Sequence, residues 1–185
     1  LELDQSVLKS VDGVVVPGGF GPRGMEGKIK AASFARKNQL PYLGLCLGMQ
    51  VAVIEFAREV LNDPSANSSE MDDKAKNQVI HIMPDQIGVD LGGSMRLGDY
   101  RAKLNKKSRS FLAYQKSTIV ERHRHRYEFN NDYREILESA GLVIAATSPD
   151  GKLVEIVEHH DHPFFVASQF HPEFKSRPNR PHELF

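Results

Sequence analysis

The sequence predicts an α/β domain of three layers, with a mostly parallel central sheet flanked by helices. Two apolar runs, Val11 to Val16 and Pro41 to Leu45, read as short buried strands, and each is followed by a segment of helical character. The resulting order of strand, helix, strand, helix needs crossover connections, which build parallel sheets. The chain has 185 residues, enough for one full hydrophobic core, and no linker, repeat or low-complexity segment divides it.

The elements follow in order. The first strand stops at Pro17-Gly18-Gly19, and Gly27 to Gln39 is helical, with Ile29, Ala32, Phe34 and Ala35 among charged residues. The second strand leads into Met49 to Leu61, an apolar helix. The polar stretch Asn62 to Asn77, with Pro64 and paired serines, reads as an exposed connection. Val79 to Met83 reads as a strand, Leu91 to Gly98 as a turn into an edge segment, and Lys103 to Arg109 as a basic loop. Asp132 to Ser139 is a helix closed by Gly141. Leu142 to Ala146, Leu153 to Val157 and Phe164 to Ala167 give three strands separated by turns at Pro149-Asp150-Gly151 and His159 to Pro163, and the sheet is expected to carry a small antiparallel edge.

Composition narrows the function. Hydrophobic residues make up 40% and charged residues 26%, which excludes a disordered or fibrous chain. Lysine plus arginine (24) equals aspartate plus glutamate (24), so no net field draws the chain to nucleic acid or a membrane surface. No apolar run approaches the ~20 residues of a membrane span. A single cysteine permits no intrachain disulfide and suits a reducing, cytoplasmic setting. The chain begins at Leu1 with no secretory signal after it, and is expected to be part of something longer.

That cysteine lies in Gly44-Leu45-Cys46-Leu47-Gly48, between a buried strand and an apolar helix. A nucleophile on a sharp strand-to-helix turn needs small neighbours two residues away on either side. The helix N-terminus is expected to lower the thiol pKa, and the N–H of Leu47 to hold an oxyanion. The competing reading is a buried structural cysteine between packing glycines. A thiolate needs a base, and the base an orienting group. Gln169-Phe170-His171-Pro172-Glu173 offers both: Pro172 biases His171 toward extended backbone, where His171 and Glu173 point the same way.

Other motifs carry less. Gly19-Phe20-Gly21-Pro22-Arg23-Gly24 spells a dinucleotide fingerprint, but the next strand ends at the cysteine rather than an acidic residue, so that reading is rejected. A glycine N–H there instead suits an oxyanion hole opposite Leu47. Arg122-His123-Arg124-His125-Arg126 is either an edge strand with its arginines on one face or an anion-recognition segment, one arginine clamping a carboxylate. His159-His160-Asp161-His162 has metal-binding composition but reads as a surface turn, so no metal site is expected. Glu70 by composition is a solvated charge.

Together Pro17-Gly18-Gly19, the cysteine elbow and His171-Pro172-Glu173 resemble the class I (triad) glutamine amidotransferases, a flavodoxin-like fold. Leu91-Gly92-Gly93-Ser94-Met95-Arg96-Leu97-Gly98, Glu121 to Tyr127 and Gln169 to Phe174 narrow the resemblance to the glutaminase domains of the CTP synthase family, over about residues 14–185. The resemblance implies that Cys46 attacks the glutamine amide, His171 moves the protons and Glu173 orients it. Gly19 and Leu47 would supply the oxyanion hole. Gly48, Met49, Gln50, Glu70 and Arg126 would surround bound L-glutamine, Glu70 toward its amine and Arg126 toward its carboxylate. Phe20 to Gly27 matches a lid loop used in activation by GTP. Residues 1–185 would be the glutaminase domain, without a cofactor of its own. A synthase domain of the same polypeptide, absent here, would carry ATP and Mg and aminate UTP to CTP in a homotetramer. The family's first strand and final helix are not represented, and 71–91 is shorter than in some relatives. The rival functions are another cysteine hydrolase or peptidase on the same elbow, and a non-catalytic regulatory relative.

Overall fold

The computed structural model describes residues 5–82 and 95–185. A short helix α1 (Gln5–Leu8) precedes strand β1 (Val14–Val16), helix α2 (Met25–Lys37), strand β2 (Tyr42–Leu45) and helix α3 (Leu47–Val60). Then come β3 (Asn67–Ser68), β4 (Gln78–Ile82), β5 (Arg96–Leu104), α4 (Arg109–Tyr114), β6 (Thr118–His125) and β7 (Tyr127–Phe129). Helix α5 (Arg134–Ser139) and strands β8 (Leu142–Thr147), β9 (Val154–His159) and β10 (Phe165–Ser168) follow.

Seven strands form the central sheet in the order β1-β2-β10-β9-β8-β5-β6. Alternate residues of one strand feed opposite cores. Tyr42, Phe165 and Ala167 pack with α2, α3 and Leu137 of α5, whereas Leu43, Leu45 and Val166 pack with Tyr114 of α4 and Leu184. The three-layer α/β expectation stands. Helix α3, largely apolar, has eleven buried residues because other elements cover it on several sides: α2, the central sheet, β4 and α5. Glu55 of α3 is buried and paired with Arg36 of α2 through two hydrogen bonds of 2.8 and 2.9 Å.

The antiparallel part is wider than the small edge expected. Pairing is parallel at β1–β2 and β2–β10, then antiparallel from β10 through β9, β8 and β5 to β6. The turns at 148–153 and 160–164 are too short for a crossover, so β8, β9 and β10 fold back on one another.

The segment expected as an exposed connection also differs. It holds β3, with Ala66 and Ser68 fully buried, and joins β4 and β7 in a second sheet of order β3-β4-β7. The predicted strand at Val79 is β4, with Met83 outside the described residues. Of Leu91 to Gly98, residues 91–94 lie outside the described residues, and Arg96 opens β5.

Candidate active site

Cys46 follows β2 and caps α3 with φ 51° and ψ −99°, a left-handed backbone that is costly for a residue with a side chain and that the tight elbow imposes here. Both flanking glycines are obligatory. A Cβ on Gly44 would lie 2.7 Å from the Gly48 carbonyl, and one on Gly48 would lie 2.1 Å from the carbonyl oxygen of Val16. The backbone N–H of Cys46 donates to Ser168 at 2.7 Å, and the Tyr42 hydroxyl donates to the Gly48 carbonyl at 2.8 Å. The elbow is thereby tied to β10 and to the start of β2.

His171 follows β10, and its N–H donates to the Arg122 carbonyl of β6 at 2.8 Å. Its Nδ1 lies 2.6 Å from Oε1 of Glu173. The pairing matches the expectation, but its geometry does not: His171 is extended (φ −109°, ψ 88°), and Pro172–Phe174 is a 3-10 turn that swings the carboxylate back to the ring. In neutral imidazole this contact places the proton on Nδ1 and leaves Nε2 as an acceptor. Nε2 is buried and has no hydrogen-bond partner in the structure. Phe174 stacks on the ring at 4.6 Å, and a Cβ on Gly18 would approach its Cε1 to 2.6 Å, so the imidazole is closely confined.

The electrostatics correct one expectation. Burial pushes the Cys46 thiol up to about 12. The Leu47 N–H acts the other way, as the sequence predicts, but a sulfur on a 4% exposed residue loses more hydration than one backbone dipole returns, and Glu173, Glu128 and Glu70 add their charge. The resting group is therefore a thiol. Burial raises the Glu173 carboxyl too and is the largest single influence, but the hydrogen bond from His171, its own backbone N–H and the nearby imidazoles together hold the group below its ordinary value.

Cys46, His171 and Glu173 line a cleft of about 640 Å³ together with Gly19, Gln50, Glu70 and Arg126. Gln50 is buried, its Nε2 donating to the Tyr127 carbonyl at 3.3 Å while Oε1 has no partner. Arg126 stands where the chain leaves β6 in the central sheet and enters β7 in the small one. Glu70 follows β3 and accepts from the Gly21 N–H at 3.0 Å. Three predicted residues do not line the cleft. Met49 is wholly in the core, Gly48 is turned against Val16 and Tyr42, and Leu47 reaches the site only through its backbone.

The basic run forms the edge strand of its first reading, and part of it also reaches the cleft. Arg122 and Arg124 are exposed on the edge strand β6, with His123 and His125 buried behind them, while Arg124 and Arg126 also line the cleft. The two imidazoles are 2.8 Å apart, and burial with the nearby Arg96 charge pushes them down to about 2 and about 3. Arg96 in turn binds the buried Glu155 at 2.6 Å. In the predicted surface turn His160 pairs with Asp161 outside, and His162 faces the Ala35 carbonyl inside at 3.1 Å. Among the described residues no three His, Cys, Asp or Glu side chains could hold a metal ion. Sequence reasoning gave no role to Gly18, Arg124 or Gln169. The first two lie inside Pro17-Gly18-Gly19 and the basic run, so the signal for them was present. The Nε2 of Gln169 donates to Cys46 Sγ at 3.7 Å, a contact made only by tertiary packing.

The model of the family described as glutamine amidotransferase class-I matches residues 1–185. The chain belongs to this family. As a class I glutamine amidotransferase it is 62% identical over 182 residues to a CTP synthase of Carboxydothermus hydrogenoformans and 59% identical over 181 residues to one of Thermomicrobium roseum. The matches cover 98% of this chain, which spans about a third of the length of these relatives, 34% and 33%. The glutaminase domain of Trypanosoma brucei CTPS, solved with bound acivicin, superposes with a TM-score of 0.91 at 45% identity, covering 97% of this chain and 70% of that one. A glutamine amidotransferase of Thermotoga maritima, 16% identical with a TM-score of 0.57 and covering 90% of this chain and 58% of that one, shares the fold alone.

Proposed function

We propose that this chain hydrolyses L-glutamine to glutamate and ammonia through a thioester on Cys46. The observation that carries the reading is a cysteine on a left-handed elbow in the same cleft as an imidazole whose Nδ1 is fixed by Glu173 and whose Nε2 is buried without a partner. His171 Nε2 takes the thiol proton as Sγ attacks the side-chain amide carbon. The oxyanion forms against the N–H groups of Leu47 and Gly19, two residues that neighbour each other across the elbow: a Cβ on Gly19 would meet the Leu47 side chain at 3.2 Å. His171 returns the proton to the departing nitrogen, which leaves as ammonia. Water, deprotonated by His171, then attacks the thioester carbon; the C–S bond breaks, the proton passes from His171 to Sγ, and glutamate leaves. Glu70 receives the substrate ammonium and Arg126 its carboxylate, so opposite charges of the cleft meet opposite ends of one small zwitterion.

The similarity to CTP synthases extends the proposal. Residues 1–185 are the glutaminase domain of a longer cytoplasmic protein whose synthase domain receives the ammonia and aminates UTP to CTP. ATP and Mg are held outside this chain. GTP activates through the loop from Phe20, and the full protein is a homotetramer.

A diazoketone analogue of glutamine tests the reading. Labelling confined to Cys46 and suppressed by excess glutamine supports the nucleophile and the cleft together. Glutamine turnover that survives Cys46→Ala overturns it, and cleavage of peptides in place of glutamine favours the peptidase alternative.

A further inference from the structure

Gln169, directly after β10, is fully buried, does not line the cleft and has no part in the steps above. Its backbone N–H donates to the Glu155 carbonyl of β9 at 2.8 Å, which pins the residue behind the elbow. Its side-chain Nε2 donates to Cys46 Sγ, and its Oε1 is buried with no partner. A carboxamide oxygen left unpaired in a core is costly, and an apolar side chain of the same size would avoid that cost. The retained N–H therefore calls for a reason, and the sulfur is the group it touches.

The Gln169 side chain is the donor that reaches Sγ. With a lone pair of the sulfur so occupied, its own proton is left to turn toward an acceptor. His171 Nε2 is a buried acceptor of this cleft that has no partner, and its ring is the one that stands beside Cys46 at Gly18, where an added Cβ would lie 2.6 Å from His171 Cε1 and 3.7 Å from Cys46 Cβ. We propose that Gln169 is a positioning residue for the nucleophile: its N–H sets the rotamer that aims the Cys46 proton at His171, and then holds the thiolate left by the transfer. This rests on the reading of Cys46 as nucleophile.

The test compares Gln169→Met and Gln169→Glu with the unsubstituted full chain, by the rate of Cys46 alkylation with iodoacetamide against pH and by glutaminase kinetics. Loss of the donor is expected to slow alkylation at fixed pH about tenfold, equivalent to a rise of about one pKa unit. Gln169→Glu, which adds a carboxylate beside the sulfur, slows it further. The kcat falls in parallel while KM stays, because Gln169 is not in the cleft. An unchanged alkylation profile in Gln169→Met overturns the proposal. If Gln169→Met does not fold, the side-chain amide resonance of Gln169 is followed by NMR on Cys46→Ala. A shift supports the contact, and an unmoved resonance overturns it. Glutamine hydrolysis persisting in Cys46→Ala refutes the nucleophile reading instead, whereas the alkylation profile bears on Gln169 alone.

Discussion

The backbone N–H of Gly21 donates to Oε1 of Glu70 at 3.0 Å, joining the loop after β1 to the segment after β3 on a wall of the cleft that both segments line. The carboxylate that fastens this loop is the one proposed to receive the substrate ammonium. Glu70→Ala is therefore expected to raise KM for glutamine about 10- to 100-fold, the worth of one hydrogen bond to a charged group. It should also speed hydrogen exchange at the Gly21 amide. An unchanged KM with faster exchange would confine Glu70 to holding the loop.

Arg126→Ala is expected to raise KM by a similar factor with kcat nearly unchanged, the pattern of lost ground-state binding. Arg126→Lys should recover little, since an ammonium cannot make the two parallel bonds of a guanidinium to a carboxylate. Steady-state kinetics on glutamine decides, and a fall in kcat alone would contradict the assigned role.

Two glycines make a matched pair for stability. Gly48→Ala places a methyl 2.1 Å from the Val16 carbonyl oxygen, a backbone atom that cannot swing aside, and is expected to cost about 3 kcal/mol or to prevent folding. Gly27→Ala, in α2 with open space around its Cβ, should stabilise by about 0.5–1 kcal/mol. Urea denaturation of both variants checks the contrast.

The buried thiol predicts a pH dependence of known sign. In the unfolded chain a cysteine titrates near about 8.5, and in the fold it is raised to about 12. The fold thus favours the neutral thiol, and that preference contributes fully below pH of about 8.5 and is lost as pH rises toward 12. Stability should fall over this alkaline range, and less so in Cys46→Ala. Without substrate, alkylation should keep rising with pH past the ordinary thiol value rather than level off there.

Much of this was legible locally. The Gly44–Gly48 elbow is one turn, and its steric demand on both glycines can be read from spacing alone. The His171–Glu173 pair was legible as a pair, though the 3-10 turn that makes it was not, because Pro172 constrains the residue before it and leaves the backbone after it open. Glu70 shows the limit. Nothing in a polar stretch reveals that β3 will pair with β4 and carry that carboxylate to the cleft, since the pairing depends on strands far along the chain. The thiol pKa failed for a related reason: a helix N-terminus is visible in sequence, whereas the burial that outweighs it is a property of the whole fold.

The reactive parts are grouped at the carboxyl ends of β1, β2 and β10, the strands joined in parallel, and the outer antiparallel strands reach the cleft chiefly through the end of β6. The division implies an uneven tolerance of heritable change. The hairpin turn at 148–153, which contributes nothing to the cleft, is free to lengthen or acquire new contacts over generations, while the turns after β1, β2 and β10 are held to nearly one backbone path. Novelty in this architecture should therefore accumulate along one flank of the molecule and leave the other almost unaltered.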